Sequence, residues 1–176
     1  MSRSLGSTDL KRLHREWRRR AEGRVAVLLD SVATPYNVGA ILRTAAALRV
    51  DDVFVCGQTA DEHASGTQKT ALGSQRFVTV RRFDAPADAA VAVRDAGYRL
   101  VAVELAEGAV PIHEVDLTGD VCLGVGHEDR GLSAAILDRA DQVAFIPQLG
   151  RIGSLNVATA ASIALYEARR QGWPAP

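Results

Sequence analysis

Short apolar runs alternate with longer Ala- and Leu-rich segments along most of this chain of 176 residues. The runs are unbroken, which is typical of strands buried on both faces of a parallel sheet. The pattern predicts strands over Val25–Leu29, Val53–Cys56, Phe77–Val80, Leu100–Val103, Val121–Val125 and Val143–Ile146. It predicts helices over Val38–Leu48, Ala85–Asp95, Ser133–Arg139 and Leu155–Arg170, and a polar loop over Thr59–Ser74. This alternation predicts an α/β fold, a mostly parallel sheet with helices on both faces.

The first 24 residues differ from the rest of the chain in charge. They carry eight basic and three acidic side chains, whereas the other 152 residues carry 13 basic and 18 acidic ones, a net charge of −5. Leu10–Glu22 favours a helix, with Leu10, Leu13 and Trp17 on one face. The predicted organisation is a basic N-terminal helical arm (1–24), one domain (25–172) and a tail (173–176). The arm either packs on the body or a partner subunit, or it touches phosphates.

Composition narrows the class of protein. The apolar runs fall short of the ~18 residues that a transmembrane helix needs, and no charged-then-apolar leader opens the chain. The two cysteines, Cys56 and Cys122, end Val-rich runs and lack metal-ligand spacing, so we interpret them as reduced core residues. We therefore expect a cytoplasmic protein that binds neither a membrane nor a metal ion.

Three loop-to-helix segments combine glycines with polar side chains, and each falls at the carboxyl end of a predicted strand. They run from Asn37 to Arg43, from Gly124 to Gly131 and from Ile146 to Asn156. Ligands of a parallel sheet bind outside the carboxyl ends of its strands. The three segments therefore predict one shared ligand site.

Each segment taken alone also has an ordinary structural interpretation. Arg43 in an Ala-rich helix can be a solvated surface residue instead of part of an anion site. The second segment can be a plain strand-to-helix turn, since Asp129 breaks the glycine spacing of a phosphate loop. His127 is interpreted as a packing or hydrogen-bonding residue, not as a base. Ser154 is the expected N-cap of the last helix, and this places Asn156 inside its first turn, where a poor helix former indicates a functional role.

Together the three segments resemble the motifs of the SpoU/TrmH branch of the SPOUT RNA methyltransferases. The first family motif, N-x-G-x-x-x-R, corresponds to Asn37, Gly39 and Arg43. The second, G-N-E-x-x-G, corresponds to Gly126 through Gly131, with His127 in place of the usual Asn or Pro. The third, I-P-x-x-G followed by S-L-N-V and a helix ending in Y-E, corresponds to Ile146-Pro147, Gly150, Ser154–Val157 and Tyr166-Glu167. The resemblance covers residues 25–170.

The resemblance implies a C-terminal segment that threads a loop to form a trefoil knot. It implies a homodimer whose sites borrow residues across the interface, with S-adenosylmethionine held in the knot mainly by backbone. The implied cofactor-binding residues are Glu104, Leu105, Gly124, Gly126, Ile146, Ser154 and Leu155. The implied catalytic set is the catalytic arginine, Arg43, with Asn37, Glu128, Ser154 and Asn156 to position substrate and cofactor.

The reaction that the resemblance implies is methyl transfer to a ribose 2′-hydroxyl, which only RNA offers. A guanidinium gives up its proton reluctantly, so we expect Arg43 to clamp a phosphate and stabilise the developing alkoxide instead of acting as the base. The predicted RNA-binding residues are Lys11, Arg12, Arg15, Arg18, Arg19, Arg20 and Arg43. A short catalytic domain with a basic arm resembles the enzymes that methylate a D-loop guanosine of tRNA.

Three alternatives stay open. The substrate can be ribosomal RNA, or the protein can be a catalytically silent RNA-binding dimer, because His127 departs from the family motif. A Rossmann-type nucleotide enzyme is disfavoured, since Thr34–Asn37 stands where its glycine loop belongs. Trp173 is either a packing or interface residue or a base-stacking platform.

Overall fold

A sheet of seven parallel strands runs through the middle of the protein in the computed structural model, which describes residues 3–173. The strands are β1 (Val25–Asp30), β2 (Asp52–Cys56), β3 (Thr79–Phe83), β4 (Arg99–Val103), β5 (Val110–Pro111), β6 (Val121–Val125) and β7 (Gln142–Phe145). Their order across the sheet is β3-β2-β1-β6-β4-β7-β5, and every pairing is parallel. The predicted α/β class is confirmed.

Six α-helices connect or flank these strands. They are α1 (Ser7–Arg20), α2 (Pro35–Ala47), α3 (Ser65–Ala71), α4 (Pro86–Asp95), α5 (Ala134–Leu137) and α6 (Val157–Gln171) within residues 3–173. Two short 3₁₀ turns lie at Ser74–Phe77 and Ile112–Glu114. None of the helices described is long and apolar enough to cross a membrane.

Alternate residues of each central strand face opposite helical layers. In β1, Val27 and Leu29 pack in the core under α2 and α6, whereas Ala26 and Leu28 pack in the core under α4 and α5. All six residues of β1 are buried. Burial on both faces explains why these strands are unbroken apolar runs in the sequence.

Most predicted elements are confirmed to within a few residues, but four details differ from the prediction. The predicted loop Thr59–Ser74 contains α3, which packs closely on α2. The strand predicted at Phe77–Val80 begins two residues later, because Phe77 belongs to a 3₁₀ turn. The two-residue strand β5 has no sequence signal, since it is too short to show a period. The helix α5 is four residues long instead of the seven predicted.

The close packing of α3 on α2 depends on Gly39. A Cβ added at this position would overlap the side-chain hydroxyl of Thr70 and the carbonyl of Thr67. Gly39 is also the glycine of the first family motif. Its role in this chain is therefore to let two helices approach each other.

Both cysteines are buried thiols in central strands. Cys56 lies in β2 and Cys122 in β6, and neither side chain is exposed. Burial raises the pKa of Cys56 to about 12, with a further contribution from the nearby Asp30 carboxylate. Burial also raises the pKa of Cys122. The interpretation of both as core residues is confirmed.

A buried arginine joins the end of α6 to the loop after α2. Arg169 donates to the carbonyls of Leu48 (2.8 Å), Gly23 (3.1 Å) and Arg49, and its guanidinium lies 3.4 Å from the Asp51 carboxylate. Burial lowers the pKa of Arg169, and Asp51 opposes that effect. Arg169 thus donates to three carbonyls, and it shares the Asp51 carboxylate with the backbone N–H of Val25.

The N-terminal helix α1 attaches to the body through aromatic side chains. None of its residues is buried. Trp17 lies with its ring centroid 5.0 Å from that of Trp173, which in turn lies 5.5 Å from Tyr166 on α6. Trp173 is thus a packing residue, and the rest of the predicted tail, 174–176, lies outside the described residues, as do residues 1 and 2 of the predicted arm.

Candidate functional site

A chain of three side chains connects the three sequence motifs. Asn37, on the first turn of α2, donates from Nδ2 to Glu128 Oε1 at 2.8 Å. Its Oδ1 accepts a hydrogen bond from Asn156 Nδ2 at 3.0 Å. Because each amide uses both its donor and its acceptor, the orientation of Asn37 is fixed. The structure thus brings Asn37, Glu128 and Asn156 together, as the shared-site prediction requires.

Glu128 caps the start of α2 from a different loop. Its carboxylate accepts hydrogen bonds from the backbone N–H groups of Ala33 (3.4 Å) and Thr34 (3.3 Å), in addition to the bond from Asn37. Burial alone would raise the pKa of Glu128, but the hydrogen bonds from Asn37 and Thr34 outweigh it and lower that pKa. Glu128 therefore carries its negative charge at neutral pH and is held in place by donors.

The N-cap of α6 is Asn156, and the assignment of Ser154 to this role is wrong. Asn156 Oδ1 accepts hydrogen bonds from the backbone N–H groups of Ala158 (2.9 Å) and Thr159 (3.3 Å). Ser154 lies two residues earlier, exposed in the loop. Asn156 is therefore outside the helix proper, where its side chain can cap and still reach Asn37.

A cavity of about 510 Å³ opens beside this network, at the carboxyl ends of β4, β6 and β7. The predicted site residues in its wall are Glu104, Leu105, Gly126, Glu128, Ile146, Ser154 and Leu155. Gly124 is not in the wall, because it lies inside β6, where an added Cβ would face Leu100 and Ile136 in the core. The volume falls in the range of small-molecule sites, roughly 300–1,000 Å³.

Backbone forms much of the cavity wall at the second motif. A Cβ added at Gly126 would overlap the backbone of Gly131 and Leu132, so no side chain fits there. The loop closes through two hydrogen bonds between His127 and Gly131, His127 N to Gly131 O at 3.0 Å and Gly131 N to His127 O at 2.9 Å. His127 Nδ1 also accepts from the Asp129 N–H at 3.0 Å, which supports its interpretation as a hydrogen-bonding residue.

Two carboxylates hold the start of the next helix against the cavity. Glu104 Oε2 accepts from the Leu132 N–H at 2.9 Å, and the buried Asp30 accepts from the Ser133 N–H at 2.8 Å. Sequence reasoning missed Asp30. Its position as the polar last residue of a buried strand was the available signal.

Further wall residues were also missed. Phe145 ends β7 and Gln148 follows it, and both line the cavity. Among the described residues, Gln148 Oε1 is buried without a hydrogen-bond partner. A buried acceptor without a donor is destabilising, so this atom marks a place where a ligand can donate.

The structure does not place Arg43 in this cavity. Arg43 is exposed on α2, six residues after Asn37, which corresponds to about 9 Å along the helix axis. It lines a different hollow, between α1, α2 and the end of α6. Within one chain, the predicted catalytic arginine and the cavity are thus separate.

The predicted RNA-binding residues of the arm all lie exposed on α1. They are Lys11, Arg12, Arg15, Arg18, Arg19 and Arg20. Arg20 pairs with Glu16 one turn earlier, and its guanidinium lies 5.3 Å from the Trp17 ring. The remaining cations face solvent or the hollow beside α1.

Known proteins resemble this chain in both sequence and structure. Residues 24–166 match the SpoU rRNA Methylase family. The chain is 36% identical over 149 residues to the tRNA (guanosine(18)-2′-O)-methyltransferase of Escherichia coli, an alignment covering 84% of this chain and 63% of that protein. It is 35% identical over 167 residues to the enzyme of the same name from Aquifex aeolicus, covering 92% of this chain and 76% of that protein.

A solved structure shares the fold. The AdoMet-bound rRNA methyltransferase from Sinorhizobium meliloti matches with a TM-score of 0.79 and 36% identity, over 86% of this chain and 57% of that chain. This chain therefore spans less than two thirds of the length of the Escherichia coli and Sinorhizobium meliloti proteins.

Proposed function

The chain belongs to the SpoU rRNA Methylase family, and on that basis we propose that it transfers a methyl group from S-adenosylmethionine to a ribose 2′-hydroxyl of RNA. The observation that carries this proposal is the cavity at the strand ends, which the second and third motifs line and the Asn37–Glu128–Asn156 chain connects to the first. A Rossmann-type nucleotide enzyme is not supported, because the loop after β1 begins α2 with Pro35 and has no glycine-rich turn.

The cavity suits the cofactor in size and chemistry. Gly126 and Gly131 line the cavity without side chains, because a Cβ at Gly126 would overlap the loop backbone and one at Gly131 would overlap the Glu104 carboxylate. The unpartnered Gln148 Oε1 offers an acceptor to a ligand amino or hydroxyl group. The side chains of Ile146 and Leu155 supply apolar contact area. When bound, S-adenosylmethionine supplies an electrophilic methyl group, so the chain's own residues need only align the acceptor oxygen and remove its proton.

Different side chains position the substrate and stabilise charge during the reaction. Glu128 is a positioning residue, because its carboxylate is engaged by donors from Ala33, Thr34 and Asn37, and its lowered pKa makes it a poor proton acceptor. Arg43 clamps the phosphate next to the reacting ribose and stabilises the developing alkoxide. Ser154 and Asn156 position substrate and cofactor at the loop before α6.

Family membership also supports a homodimer and a C-terminal trefoil knot. Arg43 lines a hollow outside the cavity of its own chain, and a second copy can bring the two together. Mixed dimers test this arrangement: one variant carries Arg43→Ala and the other Gly126→Val. If Arg43 serves the partner's cavity, mixing two inactive variants restores activity, whereas an arginine acting within its own chain leaves the mixture inactive.

The favoured substrate is tRNA, at a D-loop guanosine, and the site of action is the cytoplasm. Two relatives named tRNA (guanosine(18)-2′-O)-methyltransferase support the substrate. Ribosomal RNA is the second candidate, supported by the structural likeness to an rRNA methyltransferase. Methylation of total RNA from a strain that lacks the protein, with tritiated cofactor and mapping of the methylated riboses, separates the two.

The test of the whole proposal compares Arg43→Ala with a matched control, Arg139→Gln, which lies after α5 on the opposite face of the sheet. We expect Arg43→Ala to abolish methyl transfer while cofactor affinity, measured by calorimetry, stays within a few-fold. The control retains both. A chain that binds RNA but no S-adenosylmethionine would be the silent RNA-binding dimer and would refute the enzyme.

A further inference from the structure

A hollow of about 660 Å³ lies between α1 and the body of the protein, apart from the cofactor cavity. We propose that it holds one unpaired nucleotide of the RNA substrate, with the base against Phe77 and the phosphate on Arg49. This inference rests on the proposed RNA methyltransferase function and extends it to the structural state of the RNA. We call this space the arm hollow, and the residues that define it are Trp17, Arg18, Arg43, Arg49, Phe77 and Trp173.

The charge of the arm hollow favours an anion. Arg18, Arg43 and Arg49 all line it, and none of them lies within 4.0 Å of a carboxylate in the described part of the chain. No Asp or Glu is among the residues that line it. Three guanidinium groups that converge on one concave surface without acidic partners form a binding site for phosphate.

Aromatic side chains also line the arm hollow. Phe77 is 67% exposed at the end of its 3₁₀ turn, and Trp17 is 42% exposed. One face of Phe77 is covered by the guanidinium of Arg76, at 4.8 Å from the ring centroid. Exposed aromatic rings beside arginines are the elements with which proteins bind single-stranded nucleic acid.

Arg49 is held in place before any ligand arrives. Its backbone adopts the left-handed region at φ 53°, which is unfavourable for a residue with a side chain, and its carbonyl accepts from the buried Arg169. Its Nη1 donates to the Arg18 carbonyl at 3.3 Å, near the end of α1. The remaining N–H groups of its guanidinium can therefore bind phosphate at a position fixed relative to both walls of the hollow.

Stacking of a base on Phe77 requires an unpaired nucleotide. A base inside a duplex presents only its edges to a protein, whereas a base that stacks on an aromatic ring must be turned out of the helix. Arg43 belongs to the same hollow, so a nucleotide bound here lies next to the predicted catalytic arginine. The target ribose would then be a neighbour of the stacked nucleotide.

Tryptophan fluorescence gives a direct test, because the chain has two tryptophans and both line the arm hollow. The full chain is titrated with a five-nucleotide single-stranded RNA and with a blunt RNA duplex containing the same strand. We expect the single strand to quench the fluorescence and the duplex to leave it unchanged at equal phosphate concentration. Anisotropy of the labelled strand gives the affinity.

The variants are chosen to change the arm hollow without changing the core. Phe77→Leu should weaken single-strand binding by about 5- to 150-fold, whereas Phe77→Tyr, which keeps an aromatic ring, should retain the wild-type affinity. Arg49→Gln should reduce the slope of log affinity against log salt by about 0.7, the value for one phosphate on a single strand. Arg139→Gln is the matched control and should leave affinity and slope unchanged. Circular dichroism melting checks that each variant is folded.

Two results would overturn the inference: single-strand affinity within twofold of wild type in both Phe77→Leu and Arg49→Gln, or equal quenching by the duplex. Calorimetry with S-adenosylhomocysteine and the methyl-transfer assay separate this failure from failure of the proposed function. Cofactor binding and methyl transfer without quenching would refute the arm hollow alone. Quenching by single-stranded RNA without cofactor binding would refute the methyltransferase and leave the nucleotide site.

Discussion

Replacing Asn156 by alanine tests the connection between the three motifs. The change removes the cap of α6, since Asn156 Oδ1 accepts from the Ala158 and Thr159 N–H groups, and loss of such a cap costs about 1 kcal/mol. It also removes the 3.0 Å bond to Asn37, which contributes about 0.5–1.5 kcal/mol. We therefore expect the free energy of unfolding to fall by about 1.5–2.5 kcal/mol, equivalent to roughly 3–10 °C in Tm for a domain of this size.

Urea denaturation followed by circular dichroism measures this loss, and the chain offers a matched control. Ser154→Ala changes the residue that the sequence favours as the cap, but Ser154 is exposed in the loop and does not cap α6. It should change the free energy of unfolding by less than about 0.5 kcal/mol. A loss for Ser154→Ala equal to or greater than that for Asn156→Ala would refute the capping geometry.

A double-mutant cycle with Asn37→Ala isolates the bond between the two amides. Both single variants remove the same hydrogen bond, so the double variant should lose about 0.5–1 kcal/mol less than the sum of the two. Strict additivity would mean that the Asn37–Asn156 contact contributes nothing to stability. Cofactor affinity, measured on the same proteins, then shows whether the three-residue chain also shapes the cavity.

Three further changes test other parts of the structure. Gly126→Ala should weaken S-adenosylhomocysteine binding at least tenfold in calorimetry and lower the free energy of unfolding by about 1–3 kcal/mol, because the added methyl overlaps the backbone. Gly150→Ala is the control, since Gly150 has open space around it, and should change neither quantity. Equal effects of the two variants would contradict the close packing inferred at Gly126. Glu128→Gln should have a lower free energy of unfolding in urea than wild type above pH 4.5, the ordinary pKa of Glu. The two free energies should converge as the pH falls through the lowered pKa of Glu128. A difference between them that is constant with pH would exclude a stabilising role for the Glu128 charge. Arg169→Met should reduce the free energy of unfolding by about 3 kcal/mol in urea, since three carbonyls lose the guanidinium donor and Asp51 loses its ion pair. A loss below about 1 kcal/mol would show that water replaces the guanidinium.

The sheet was predictable because burial on both faces leaves a simple pattern. The strands β1, β2 and β6 are buried along their whole length, so their sequences contain no polar positions within the apolar run except at the ends. The helix α3 was not predictable in the same way. Its sequence contains Gly66 and several polar residues. It is stabilised by packing on α2, which is possible because Gly39 has no side chain between the two helices.

The site was predictable as a meeting of three segments but not in its atomic connections. Motif resemblance selected Asn37, Glu128 and Asn156, and spacing alone could not show that one amide bridges the other two groups. The predicted N-cap of α6 was wrong by two residues, because Ser and Asn are equally good caps and only the loop geometry determines which of them caps the helix. Asp30 was missed, because its only signal was its position as the polar last residue of a buried strand, and the Ser133 N–H that it accepts from lies 103 residues later in the chain.

The two buried thiols allow local opening of the middle of the sheet to be measured as a rate of thiol modification. Cys56 in β2 and Cys122 in β6 lie on either side of β1, and both face the core under α4 and α5 with raised pKa values. An alkylating reagent can therefore reach a reactive thiolate only when those strands separate. The modification rate in native buffer therefore reports how often the centre of the protein opens. Comparison of that rate with and without cofactor would show whether a ligand bound at the strand ends slows local opening of the sheet.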